Sequence, residues 1–217
     1  TGAISGSPAR RWFRSGRRVI TLEEKILMNR PPRLIVIIGS TPPGPVGAAV
    51  GQWFTGRAEV YGQFDVEVAD LAEINLPLLD EPNLPGLRQY VHRHTQDWSV
   101  MIERADAVVF VTPEYNHGYP ATVKNAIDFL FHEWADKPVG FVSYGGISAG
   151  TRSVTQLKPV VRAVGMVPVV EMVNIPFVGQ FLDGNGRLVG NSNMDRAAEK
   201  MLDGLLRIHN LLGVGPV

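Results

Sequence analysis

Five short apolar runs punctuate the chain, and most are followed by stretches whose apolar positions recur every three to four residues. Leu34-Ile35-Val36-Ile37-Ile38 and Ala107-Val108-Val109-Phe110-Val111 are apolar throughout, and Pro138-Val139-Gly140-Phe141-Val142-Ser143-Tyr144 nearly so. Continuous apolar runs of this length, rich in β-branched residues, mark strands covered on both faces. Phe64-Asp65-Val66-Glu67-Val68-Ala69-Asp70-Leu71 alternates instead, as an edge strand does, and Glu67 there reads as a solvated edge residue. A fifth strand is expected over 166–173. Between these runs Val50, Trp53 and Phe54, then Val91, Thr95, Trp98, Ile102 and Ala105, then Val123, Ala126, Ile127 and Leu130 fall at helical spacing. Met194, Ala197, Ala198, Met201, Leu202, Leu205 and Ile208 form the stripe of a last helix. Strands alternating with helices predict an α/β fold with a parallel sheet of five strands in the order 2-1-3-4-5.

Such a sheet binds ligands beyond the carboxyl ends of its strands, so the turns there carry the functional argument. After the first strand comes Gly39-Ser40-Thr41-Pro42-Pro43-Gly44-Pro45-Val46-Gly47. A turn of glycine and hydroxyl residues opening a helix suits a phosphate, through free N–H groups, hydroxyls and the helix dipole. It matches neither the G-x-x-x-x-G-K-[ST] nor the G-x-G-x-x-G pattern, which removes support for ATP and for a Rossmann dinucleotide site. After the third strand comes Thr112-Pro113-Glu114-Tyr115-Asn116-His117-Gly118-Tyr119-Pro120, with Pro120 placed where a helix begins. Pro113 and Gly118 set a turn whose N–H groups are expected to point outward, Tyr115 offers an aromatic face, and Asn116 offers donors and acceptors. After the fourth strand, Gly145-Gly146-Ile147-Ser148-Ala149-Gly150-Thr151-Arg152 permits close backbone approach to a planar ligand.

Composition narrows the choice. Among 217 residues, 21 lysines and arginines balance 21 aspartates and glutamates, so no global field favours nucleic acid or an acidic partner. The chain has no cysteine, which excludes disulfides and thiol nucleophiles and is compatible with a reducing compartment, the cytoplasm. No apolar run approaches membrane-spanning length, so no membrane contact is expected. His92 and His94, two apart on a predicted helix, are expected to face different directions and so to make no metal pair. Asp183-Gly184-Asn185-Gly186 lacks the spaced acids and terminal glutamate of a calcium loop and reads as a tight turn, so no metal is assigned. Residues 1–32 differ from the rest: Arg10, Arg11, Arg14, Arg17 and Arg18 precede any acid, and Thr21 with Glu24 makes a capping pair for one or two helical turns. They read as a basic arm before a single domain at 33–217, and a partner-gripping segment, an appended or upstream-translated one and a targeting peptide remain open.

The run from Pro113 through Tyr119, Pro120, Ala121, Thr122, Val123, Lys124, Asn125, Ala126 and Ile127 to Asp128 resembles the PEYN-x-G-x-P-A-x-L-K-N-A-I-D signature of the NADPH-dependent FMN reductase family. Tyr144-Gly145-Gly146 through Arg152 is similar to that family's Y-G-G-x-x-G-G-x-R-A, and the resemblance runs over residues 33–212. It implies a flavodoxin-like three-layer sandwich and an oxidoreductase that moves hydride from NADPH or NADH through FMN to a small acceptor. It places cofactor contacts at Ser40, Thr41 and Val46, at Pro113, Glu114, Tyr115 and Asn116, and at Tyr144, Gly145 and Gly146, the last three along the pyrimidine side of the flavin. It also implies a homodimer or homotetramer. No catalytic acid or base is required, since the flavin carries the reaction. Lys124 and Asp128 read as an ion pair on one helix face.

At one point the chain departs from that pattern. Pro42 and Pro45 stand where the family carries arginines. Losing two charge-assisted phosphate contacts weakens binding by about 10²–10⁴-fold. That departure motivates a second reading, in which the fold has given up stable flavin for non-redox catalysis or ligand binding, with His117 as the first candidate acid or base.

Overall fold

The computed structural model describes residues 30–213. The expected basic arm, apart from residues 30–32, and the expected helical turns after Thr21 lie outside the described residues. In chain order, the elements are β1 (Arg33–Ile38), α1 (Pro45–Tyr61), β2 (Asp65–Asp70), the one-turn α2 (Leu71–Ile74), α3 (Arg93–Glu103), β3 (Ala107–Pro113), α4 (Ala121–Asp128), β4 (Pro138–Tyr144), α5 (Thr151–Ala163), β5 (Val167–Pro168), β6 (Val173–Ile175) and α6 (Ser192–Leu212). Every strand pairing is parallel, and the order is β2-β1-β3-β4-β5, with β6 also on β4.

Alternation along the buried strands builds two cores. Leu34 and Val36 point to one face with Val109 and Val111, where Val50, Phe54, Met201 and Leu205 of α1 and α6 cover them. Ile35 and Ile37 point to the other face with Val108 and Phe110, against Trp98, Ile102, Ile127 and Leu157 of α3, α4 and α5. Both faces being covered is why β1 and β3 read as unbroken apolar runs. β2, at the edge, keeps Asp65 and Glu67 in ion pairs with Arg33, and Arg104 also reaches Glu67. That agrees with the edge role expected for Glu67.

The fifth position of the sheet is filled by two short pieces. β5 pairs with Pro138 and Val139, the chain then leaves the ladder, and β6 rejoins beside Val142, Ser143 and Tyr144. Pro168 has no N–H to offer a ladder. In the gap Glu171 turns to α6, where Arg207 donates to it at 3.3 Å. Gly204 makes room there, because a Cβ on it would stand 2.7 Å from Glu171 Oε2.

Two tryptophans fix α4, the helix that follows the β3 turn. Trp98 Nε1 donates to the Ala126 carbonyl at 2.9 Å and Trp134 Nε1 to the Ile127 carbonyl at 3.1 Å. These are carbonyls of the last helical turn, which have no partner within the helix. The helix thereby acquires a set axial position, and the turn at its other end inherits it.

Candidate functional site

Parallel pairing brings the carboxyl ends of β1, β3 and β4 to one rim, with Ile38 beside Val111 and Pro113 beside Tyr144. Three turns leave that rim. They are tied to one another by polar contacts rather than left as independent loops.

The β1 turn is anchored first. Gly39 N donates to the Val111 carbonyl at 2.9 Å, and Thr122 Oγ1 donates to the Gly39 carbonyl at 2.6 Å. Beyond it, α1 starts at Pro45 behind Gly44, whose φ of 152° excludes other residues in practice. No side chain caps this helix and no acid lies in its first turn. Its amino-terminal N–H groups and dipole are therefore available to an anion, although Pro45 removes one donor. Thr41 is half-buried, and Pro42, Pro43 and Gly44 are exposed.

The β3 turn closes on itself. Tyr115 N donates to the Gly118 carbonyl and Gly118 N to the Tyr115 carbonyl, both at 2.9 Å. Asn116 and His117 between them have φ of 49° and 69°, the geometry of a type I′ two-residue turn. The expectation that this segment's N–H groups point outward therefore needs correction: those of Tyr115 and Gly118 are consumed within the turn. Asn116 occupies the left-handed region that asparagine tolerates best after glycine. Its side chain is exposed, as are Tyr115 and His117. Pro120 is the residue before the helix rather than its first member.

The β4 turn is shaped by Ala149 and Gly150 at φ of 53° and 78°. A Cβ on Gly150 would meet Ser143 Cβ and Tyr144 N at 2.8 Å, so glycine is required there for both reasons. Ser143 Oγ donates to the Ala149 carbonyl, and the N–H groups of Phe177 and Val178 close on the carbonyls of Gly146 and Gly145. A Cβ on Gly146 would meet open space. Its backbone is thus approachable from outside.

Cross-links join the turns. Ser40 Oγ and Tyr115 Oη are 2.8 Å apart, bridging the β1 and β3 turns. Glu114 bridges the β3 and β4 turns, accepting from Arg152 Nη1 at 2.7 Å and Ser148 Oγ at 2.8 Å. Burial alone raises the Glu114 pKa, but these donors outweigh it and hold its carboxyl below the usual range. Gln156 Nε2 donates to the His117 carbonyl, and Ser153 Oγ to the Pro113 carbonyl. In α4, Asn125 accepts from Leu79 N at 2.9 Å and donates to the Pro77 carbonyl at 2.7 Å, drawing the proline-broken loop of residues 75–82 to the same rim. Lys124 and Asp128 form the expected ion pair.

Of the ten expected contact residues, Ser40, Thr41 and Val46 line the β1 turn and α1, while Glu114, Tyr115 and Asn116 form the β3 turn and Gly145 and Gly146 the β4 turn. Pro113 and Tyr144 end their strands as partners. The Tyr144 ring, however, turns inward into the core under α1, 4% exposed, with its hydroxyl beneath the β1 turn. An alanine Cβ at Gly47 would lie 3.0 Å from Tyr144 Oη, 2.8 Å from Ser40 Cβ and 3.3 Å from Ser40 Oγ. Tyr144 Oη is buried, makes no well-formed hydrogen bond among the described residues, and has the Ser40 hydroxyl as its polar neighbour. Burial pushes its phenol up to about 12, so it is a protonated donor at neutral pH. An uncapped helix start, the Ser40 and Thr41 hydroxyls and a buried phenol hydroxyl beside Ser40 together suit a phosphate monoester such as that of FMN. Sequence reasoning missed Ser148 and Gln156 as braces of the site, because no local pattern announces a contact between turns 34 or 39 residues apart.

Two further expectations resolve outside the rim. His92 precedes α3 rather than lying in it, so the two-residue spacing does not separate the rings. His92 and His94 stack 5.2 Å apart within 9° of parallel, and both face Asp80, with His94 Nε2 at 2.9 Å. The Asp183 carboxylate accepts from the N–H groups of Asn185 and Arg187, making the tight turn expected there.

The model of a family described as NADPH-dependent FMN reductase matches residues 32–180. An NAD(P)H-dependent FMN reductase of Schizosaccharomyces pombe is 43% identical over 143 residues, covering 65% of this chain and 70% of that protein. One from Saccharomyces cerevisiae is 41% identical over 107 residues, 46% of this chain and about half, 56%, of that protein. Among solved structures, the NAD(P)H:(acceptor) oxidoreductase FerB of Paracoccus denitrificans superposes with a TM-score of 0.66 at 21% identity, over 81% of this chain and 98% of that one. That likeness concerns the fold.

Proposed function

The chain belongs to the NADPH-dependent FMN reductase family, and we propose that its three-turn rim holds FMN for reduction of a small acceptor by NAD(P)H. The observation that carries this reading is the uncapped α1 start beside Ser40, Thr41 and the buried Tyr144 hydroxyl. A phosphate there meets backbone donors, hydroxyls and the positive end of the helix dipole. When bound, FMN would supply the redox chemistry between NAD(P)H and the acceptor, held by the β1 turn and α1 start at its phosphate and by the β3 and β4 turns at its ring.

The chain's own residues bind and orient. Tyr115 and Asn116 present an aromatic face and an amide at the exposed β3 turn, and Gly145 and Gly146 leave backbone open to close approach. Glu114 does no proton transfer in this account, since Arg152 and Ser148 occupy its carboxylate. It stiffens the rim instead. The reading without flavin is disfavoured by the family match and by relatives named as FMN reductases. His117, its candidate acid or base, stands exposed on the turn.

The protein is further proposed to work in the cytoplasm as a homodimer or homotetramer. Support comes from the absence of cysteine and from exposed Leu78, Leu84, Leu87 and Val91 clustered in sequence before α3. The acceptor is proposed to be a quinone-like or flavin-like small molecule.

The test is NADPH oxidation followed at 340 nm with purified protein, with and without added FMN and a benzoquinone. FMN-dependent turnover is expected. Protein that neither binds FMN nor oxidises NADPH under any of these conditions contradicts the proposal.

A further inference from the structure

We propose that Tyr144 is a positioning residue for the cofactor phosphate, acting through Ser40 and standing in for the cations that Pro42 and Pro45 do not provide. This rests on the flavin reading above. It differs from the pyrimidine-side role that the family resemblance implies for the same residue.

Geometry carries the inference. A phenol hydroxyl buried without a partner is costly, because desolvation goes uncompensated. Tyr144 Oη, in a side chain 4% exposed, makes no well-formed hydrogen bond among the described residues and has the Ser40 hydroxyl as its polar neighbour. Phenylalanine would fill the same space in that buried cluster without that cost. The hydroxyl is not lost in the core but reaches the first turn of α1, where Gly47 lacks the Cβ that would stand 3.0 Å from it. Ser40 Oγ closes on the same point, at 3.3 Å, and is also 2.8 Å from Tyr115 Oη.

A serine hydroxyl accepts two hydrogen bonds and donates one. Two phenols, Tyr115 from the β3 turn and Tyr144 from the end of β4, flank Ser40, and in the proposed bound state both donate to it. With both donating to Ser40 Oγ, its single proton is directed outward to the mouth of the turn, where the N–H groups of α1 converge. Chained hydrogen bonds of this kind polarise one another, so the serine becomes a stronger donor to an anion than a lone hydroxyl. Three neutral hydroxyls thus do part of what the absent arginines do in related turns. The arrangement recognises a phosphate monoester, and it adds nothing to binding of a flavin that lacks one.

The experiment compares FMN with riboflavin, each titrated by quenching of flavin fluorescence into wild-type protein and Tyr144→Phe. Wild type is expected to prefer FMN. Tyr144→Phe is expected to lose about 10- to 100-fold in FMN affinity while riboflavin affinity and the melting temperature stay unchanged or the latter rises. Ser40→Ala is expected to reduce the FMN preference at least as far, and to make Tyr144→Phe silent when the two are combined. Equal loss for both flavins, or no loss for FMN, overturns the role of Tyr144 and leaves the flavin reading standing. A wild-type protein that binds neither flavin overturns both.

Discussion

Ser40 Oγ and Tyr115 Oη, 75 residues apart in the chain, stand 2.8 Å from each other across two turns of the rim. The contact exists because parallel pairing of β1 with β3 puts Ile38 level with Val111, so both turns leave the sheet at one height. It links the turn proposed to face the phosphate to the turn proposed to face the flavin ring. Gly47 allows Ser40 its place, since a Cβ there would fall 2.8 Å from Ser40 Cβ. Gly47→Ala is therefore expected to push Ser40 aside and weaken FMN binding by roughly 5- to 10-fold. Stability is expected to stay within about 1 kcal/mol of wild type, because alanine is the better helix former. Fluorescence titration and thermal melting of one preparation separate the two effects.

Pro42 is exposed on the β1 turn. Restoring a cation with Pro42→Arg is expected to raise FMN affinity by about 10- to 100-fold and leave riboflavin affinity unchanged. The same titration pair reads it.

Glu114 gives the pH dependence. Its folded-state pKa is depressed: burial pushes it up, but hydrogen bonds from Arg152 and Ser148 together pull it further down. The stability it contributes is present above the unfolded carboxylate value of about 4.3 and is lost as pH falls through the lower folded value. Glu114→Gln is expected to melt below wild type at pH 7, and the gap should close as pH falls below the unfolded carboxylate value of about 4.3. Melting curves at stepped pH check it, and a gap that widens in acid contradicts it.

How far these features could be read in advance differs by element. The buried strands were legible because two-sided burial writes itself as unbroken apolar residues, as in Ile35, Val36 and Ile37. The last helix was legible from its stripe, Met194 to Leu205. The two-part edge strand was not, since Pro168 and Glu171 act through a lost ladder donor and a contact with α6, neither of them a periodic signal. Within the site, the turns were marked by glycine and proline, but the direction of the Tyr144 ring was not. A strand residue points to one face or the other according to register, and only the α1 packing decides what its hydroxyl meets. His92 and His94 show the same limit, because their stacking depends on where α3 begins.

Asn125 holds the loop of residues 75–82 to α4 through two hydrogen bonds. Asn125→Ala is expected to cost about 1–3 kcal/mol and to speed amide exchange at Leu79, whose N–H it leaves without that acceptor. Unchanged exchange at Leu79 would contradict this role.

The central claim is that the turns after β1, β3 and β4 form one cofactor site. Amide hydrogen exchange of the protein with and without FMN tests it most directly. Simultaneous protection is expected at residues 40–48, 115–118 and 145–150, with the amino-terminal ends of the same strands unchanged. Protection confined to another surface, or no protection at saturating FMN, would contradict it.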